Sequence, residues 1–157
     1  MRFWIASWFA AIMLLVGAAL TWGAPHTNTI PFAEASGCCG LPILLVHATV
    51  NGKPATLVFD TGAQGTNVSP GIAKGARVVA RHVGNAGATG ATTSPVVSVD
   101  IVVGTDDFPR TLAFVNSTNQ LSDGLGARID GFLGEDVISQ YKRVTIDFEA
   151  KTITLEN

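Results

Sequence analysis

Residues 59–69 read F-D-T-G-A-Q-G-T-N-V-S, and Asp60 follows the apolar triplet Leu57, Val58, Phe59. Asp60 is the group in this stretch that can take up or release a proton during a reaction. Thr61 adds a hydroxyl that can brace a loop through hydrogen bonds. Gly62 lets the backbone turn where a larger residue would be strained. The apolar residues before Asp60 predict a floor partly removed from water. A single carboxyl cannot hydrolyse an amide by acid–base chemistry, because one group must activate water while another assists the leaving nitrogen. Two carboxyls sharing one proton can do both, since at short range they do not both ionise. The chain has one D-T-G. A two-fold homodimer would supply the second, because such an axis brings identical residues together.

The elements that must position Asp60 read as short strands separated by turns. Ile43–Val50 and Ala55–Asp60 form a hairpin around Asn51-Gly52, whose two central positions favour positive φ. Arg77–Val83 is a third strand. Residues 84–94, G-N-A-G-A-T-G-A-T-T-S, make a flexible glycine-rich tongue. Val97, Val99, Ile101 and Val103 alternate with Ser98, Asp100 and Val102, the period-two pattern of a half-buried strand. Thr111–Val115 follows, and residues 116–128 loop. Val144, Ile146 and Phe148, then Ile153 and Leu155, predict a closing hairpin around Glu149-Ala150. Residues 134–141 have acids first and apolar residues at 137, 138 and 141, which predicts one short helix with its acids at the positive end of the dipole. The expectation is an all-β domain over residues 41–157 with a single late helix, behind a linker at 23–40.

F-D-T-G-A at 59–63 resembles the active-site motif of retropepsin-like aspartic proteases, and I-D-G-F-L-G-E-D-V-I at 129–138 resembles that family's second signature. The closing V-T-I-D-F-E-A-K-T-I-T-L is similar to the hairpin of bacterial, membrane-linked or periplasmic members. The resemblance spans about residues 41–157, with the motifs in the family's order. It implies a small closed β barrel, a homodimer and attack of water on a peptide bond. Asp60 would be the catalytic carboxylate, Thr61 would grip the partner loop and Gly62 would shape it. The tongue, with Gly87, Ala88, Thr89 and Gly90 at its centre, would be the substrate-binding flap, and 129–134 the strand beneath the active-site loop. The family usually has Ser or Asp where Gln64-Gly65 stands here. Asp130 reads as a structural acid. An inactive peptide-binding or assembly module on the same fold is the alternative reading, motivated by Gln64 and the small residues of the flap.

The chain has 157 residues, 14% charged and 47% hydrophobic, with a net charge of −2. The absence of a basic block argues against nucleic acid as a partner. Residues 3–22 carry no charge, and Arg2 precedes them. That pattern reads as a transmembrane anchor or a signal peptide over residues 1–22, with the domain on the extracytoplasmic, or periplasmic, side of the cell membrane. Cleavage near Gly17-Ala18-Ala19 would release it. The anchor is favoured by Trp4, Trp8 and Trp22 toward the ends of the run. Cys38 and Cys39 read as a small apolar pair at the domain entrance, with a vicinal disulfide, an intermolecular bridge or lipid attachment as sharper options. His26, His47 and His82 have no ligand spacing, the glycine-rich 84–90 lacks a Gly-Lys-Ser/Thr ending, and no G-x-S-x-G stands near a histidine. Neither metal nor cofactor is expected. Asp106-Asp107 reads as an exposed turn before Phe108-Pro109, with metal binding there as the lesser alternative.

Overall fold

The computed structural model describes residues 26–36, 40, 42–87 and 90–157. Ten strands dominate: β1 (Thr27–Ser36), β2 (Pro42–Val50), β3 (Lys53–Phe59), β4 (Asn67–Val68), β5 (Arg77–Gly87), β6 (Gly90–Val103), β7 (Asp106–Val115), β8 (Gly131–Leu133), β9 (Arg143–Asp147) and β10 (Thr152–Glu156). The hydrogen-bonded order is β5-β6-β7-β4-β8-β3-β2-β1-β10-β9, and β2 also pairs with β6. That extra pairing joins β6, β7, β4, β8, β3 and β2 into a ring, so the all-β barrel expected from the sequence is present. Closure removes the sheet edges that would otherwise be exposed. Val46, Val50, Leu57, Val99, Ile101 and Leu133 are among the residues that fill it, each no more than 1% exposed. The Asn51-Gly52 turn has φ of 49° and 73°, the two positive values that this hairpin type requires.

Three features differ from the sequence reading. First, the sheet begins inside the stretch expected to be a linker. β1 pairs with β10 through Thr27–Pro31 and with β2 through Phe32–Ser36. The change of partner falls at Pro31, which has no N–H to donate. Ile30 and Phe32 are buried at period two, but the Thr, Asn and Pro around them hide that pattern. Second, the described residues of the domain form three short helices, not one. α1 (Pro70–Ala73) starts on Ser69, whose hydroxyl accepts from the Ile72 N–H, with Pro70 at the position where a missing N–H costs nothing. α2 (Asn119–Leu125) has no buried residue, although Leu121 and Leu125 pack against a small cluster with Leu45, Val58 and Ile129. One turn and a pair of leucines leave too little periodicity to read. The third, α3 (Glu135–Ile138), is the helix expected, with Glu135 and Asp136 in its first turn. Third, the glycine-rich tongue is a paired hairpin, with β5 and β6 in register out to Gly87↔Gly90.

Asp106 is not an exposed turn acid. Its side chain is 11% exposed and is bonded by His26 and by the Tyr141 hydroxyl. Burial opposes its ionisation, but the hydrogen bonds from Tyr141, His26 and Asn28 outweigh that and hold its carboxyl below the ordinary value of 3.8. Burial, with the Asp106 contact, pushes the Tyr141 phenol up, so it stays a donor. A lowered folded value means a stabilising contribution that is complete above pH 3.8 and is lost as pH falls through the folded value. Asp106→Asn therefore lowers the melting temperature at pH 5 to 6, and the gap from wild type closes as pH falls through the folded value. Thermal melts across that range check it; a gap that stays constant with pH would contradict it.

Among the described residues no helix is long and apolar enough to cross a membrane. The apolar run 3–22, the adjacent cysteines and flap residues Ala88 and Thr89 lie outside the described residues.

Candidate active site

β3 ends at Phe59 and delivers Asp60 onto a loop that returns as β4. Between these two strands runs β8, parallel to β3 (Leu57↔Gly131, Phe59↔Leu133) and antiparallel to β4 (Val68↔Gly131). A chain that leaves a strand, loops and comes back two positions away needs a third strand in the gap. Residues 131–133 fill it. Asp130, Gly131 and Gly134, the residues of the I-D-G-F-L-G stretch, are each explained by that insertion. A Cβ on Gly131 would lie 2.1 Å from the Asn67 carbonyl oxygen. One on Gly134 would lie 2.6 Å from the Gly65 carbonyl carbon and 2.8 Å from the Ala63 oxygen. Asp130 is 6% exposed. Its carboxylate accepts from the Thr56 N–H at 3.0 Å and faces the Arg128 guanidinium at 3.0 Å, and its own N–H donates to the Thr56 carbonyl. It is the structural acid the sequence suggested.

The loop is held on every side. The Asp60 N–H donates to the Leu133 carbonyl at 3.1 Å. The Gly62 N–H donates to Asp60 Oδ1 at 2.9 Å, which fixes the carboxylate and leaves Oδ2 free of that contact. The Ala63 N–H donates to the Asp60 carbonyl, and the Ala63 carbonyl accepts from the Glu135 N–H at 2.8 Å. Asp60 is half-buried, while Thr61 and Gly62 are exposed. Gln64, beside which the loop's outer hydrogen bonds were expected, is exposed. That work falls to Thr66, which is fully buried. Its hydroxyl donates to Asp136 Oδ1 at 2.8 Å and accepts from the Gly134 N–H. Sequence reasoning missed Thr66 and Asp136; the only signal for them was that Asp136 opens α3 and Thr66 precedes β4.

Asp60, Thr61 and Gly62 thus share one braced loop, and Gly87 and Gly90 close the paired hairpin of β5 and β6. Two cavities, of about 830 and 400 Å³, lie elsewhere, around Ser69, Gly71, Arg128 and Asp130. Neither has Asp60 in its wall, so neither bears on the chemistry of the loop. Among the described residues no group of three or more His, Cys, Asp or Glu side chains could hold a metal ion.

A family model described as "Aspartyl protease" matches residues 46–137, from β2 through α3, which includes the whole of this loop and its supports. No curated protein matches the chain. Two solved structures are similar. A retropepsin-like aspartic protease from Rickettsia conorii is 16% identical with a TM-score of 0.52, over 85% of this chain and 94% of its own. The retroviral protease-like domain of Ddi1 from Leishmania major is 18% identical with a TM-score of 0.49, over 73% of this chain and 89% of its own. At these identities the likeness is one of fold, and the first structure carries it: the barrel is retropepsin-like.

Proposed function

This chain belongs to the aspartyl protease family, and from that premise we propose that it is an aspartic endopeptidase whose catalytic pair is two copies of Asp60, one from each chain of a homodimer. The observation that carries the reading is the Asp60 loop. A carboxylate at the end of a barrel strand, with one oxygen held by the Gly62 N–H and the backbone pinned to β8 and α3, is a preorganised acid–base group. It needs a second carboxyl within hydrogen-bond reach.

In the assembled dyad one carboxyl is ionised and the other protonated, because two negative charges at that distance repel. The ionised group takes a proton from a water held between them, and the resulting hydroxide attacks the peptide carbonyl. The protonated group gives its proton to the carbonyl oxygen. Collapse of the tetrahedral intermediate breaks the C–N bond, and the nitrogen leaves with a proton from the dyad. One water is consumed, and an acid and an amine result. Thr61 binds the partner's loop, a role that its exposure beside Asp60 supports. The hairpin of β5 and β6, paired out to Gly87 and Gly90, covers an extended peptide.

Support for the dimer comes from the sheet. β9 ends the strand order, and among the described residues its outer edge is unpaired. Its sequence, Arg143-Val144-Thr145-Ile146-Asp147, is self-complementary. Antiparallel pairing about a two-fold axis through Thr145 sets Arg143 opposite the partner's Asp147 and Val144 opposite the partner's Ile146, which is 37% exposed. Thr145→Lys would place two ammonium groups against each other at that axis. It weakens dimerisation by roughly 10-fold or more with the monomer intact; sedimentation velocity measures this, and an unchanged dimer constant would remove this edge from the interface. The uncharged run 3–22 supports a membrane anchor or signal segment that places the domain on the extracytoplasmic side.

A peptide library at mildly acidic pH tests the activity. The expected result is steady turnover that pepstatin, a transition-state mimic, blocks. A dimer that turns over nothing across the acidic range would overturn the reading in favour of a binding module.

A further inference from the structure

The β5–β6 hairpin is not uniformly paired. Ala80 is opposite Val96, but the next pairs are Val83↔Ser94, Gly84↔Thr93 and on to Gly87↔Gly90. One extra residue on β5 therefore falls at Arg81-His82, across from Pro95, which has no N–H for the ladder. The hairpin beyond that point is joined to the barrel by a broken ladder, as a hinge requires.

Ser94 is the first residue on β6 beyond the break. It is polar and only 3% exposed. Its hydroxyl donates to Asn116 Oδ1 at 2.5 Å. Asn116 Nδ2 donates to Asn67 Oδ1 at 2.5 Å. Asn67 Nδ2 donates to the Gly65 carbonyl at 3.0 Å, in the loop that follows Asp60. Asn116 is itself anchored, its N–H donating to the Val68 carbonyl at 3.1 Å. Each amide accepts on the hairpin side and donates on the loop side, so the chain of bonds has one direction. A member that lacks either function interrupts it.

We propose that Ser94, Asn116 and Asn67 are positioning residues: a side-chain relay that holds the hinged hairpin in register with the Asp60 loop, so that closure over substrate and the shape of the loop are set together. The proposal deepens the peptidase reading and rests on it for its kinetic consequence. Its structural consequence, a tethered hairpin, is independent of activity. None of the three touches the reacting atoms, so they act on substrate capture more than on the chemical step.

Asn116→Asp tests it in the full chain. The substitution is close to isosteric and keeps the acceptor for Ser94, but an ionised carboxylate has no N–H for Asn67. At neutral pH, backbone hydrogen exchange over residues 83–94 should rise about 10-fold relative to wild type, the effect of one net hydrogen bond on an opening equilibrium. Exchange in β9 and β10 should not change. As pH falls through about 4 the carboxyl regains a proton to donate, and the ratio of variant to wild type should return toward one. Ser94→Ala should show the same loosening with no recovery at low pH. Against a peptide substrate, both variants should raise KM by about the same factor, with kcat changed less than about threefold. Hairpin exchange equal to wild type in the folded Asn116→Asp protein would overturn the proposal, and so would a defect in it that is the same at every pH. If the protein cleaves no peptide, the peptidase reading fails through the kinetic arm while the exchange arm still decides on the relay.

Discussion

Asp60→Asn yields a folded, dimeric protein that does not cleave peptides. Asn presents one oxygen with the same reach as the carboxylate, so the 2.9 Å bond from the Gly62 N–H is retained. The other restraints on the loop, the backbone bonds of Asp60 and Ala63 to each other and to Leu133 and Glu135 and the bonds of the Thr66 hydroxyl to Asp136 and Gly134, are not touched by the substitution. The melting temperature should therefore move by no more than about 2 °C. An amide, however, neither takes a proton from water nor gives one to the leaving nitrogen. Turnover should fall by at least about 10³-fold, the size of a general acid–base contribution removed at both positions of the dyad. Peptide turnover and a thermal melt on the same sample check the two halves of this outcome. Full activity in the variant would remove Asp60 from the chemistry.

The second large effect is expected at a residue that performs no chemistry. Gly131→Ala places a methyl carbon 2.1 Å from the Asn67 carbonyl oxygen and 3.1 Å from Leu57 Cδ2. The first of these is backbone in a strand hydrogen-bonded to β8 itself, so it cannot move without opening the β3-β8-β4 arrangement. The cost is of overpacking against rigid neighbours, about 3 kcal/mol or more. For a domain of this size that is a fall in melting temperature of roughly 6–12 °C. Activity should fall with it, because β8 carries the Leu133 carbonyl that receives the Asp60 N–H. Gly124→Ala is the control. Nothing lies within 4 Å of the added carbon there, and the site is in α2, where Ala is the better residue. It should be neutral or slightly stabilising. Equal losses at the two positions would contradict the account of β8.

Much of this arrangement was readable from the residues. The hairpin at Asn51-Gly52, the alternating valines of β6, the acids opening α3 and the glycine before it each have a local physical cause that leaves a trace in the sequence. So does D-T-G behind an apolar strand. What could not be read has non-local causes. β1 is a strand because Ile30 and Phe32 find partners in β10 and β2, on both sides of Pro31; its own composition suggests a linker. β4 is two residues long and exists only because β7 and β8 flank it. Thr66, rather than Gln64, supplies the side chain that braces the loop, since its hydroxyl meets Asp136 from the far motif. Asp106 looked like a turn acid, and is instead the point where His26, Tyr141 and the β6–β7 turn meet. The bonds through Asn116 link β6, β4 and the residue that follows β7, far apart in the chain. Polar side chains of that kind carry no periodic signal.

The central claim is that each active site contains Asp60 from two chains. Subunit mixing tests it most directly. Wild-type and Asp60→Asn chains are combined, allowed to exchange, and assayed at fixed total concentration. If both carboxyls are needed, only wild-type pairs act, and activity follows the square of the wild-type fraction: an equal mixture retains about one quarter of full turnover. If each chain works alone, activity falls in proportion to the fraction and the equal mixture retains about one half, a result that would contradict the shared dyad.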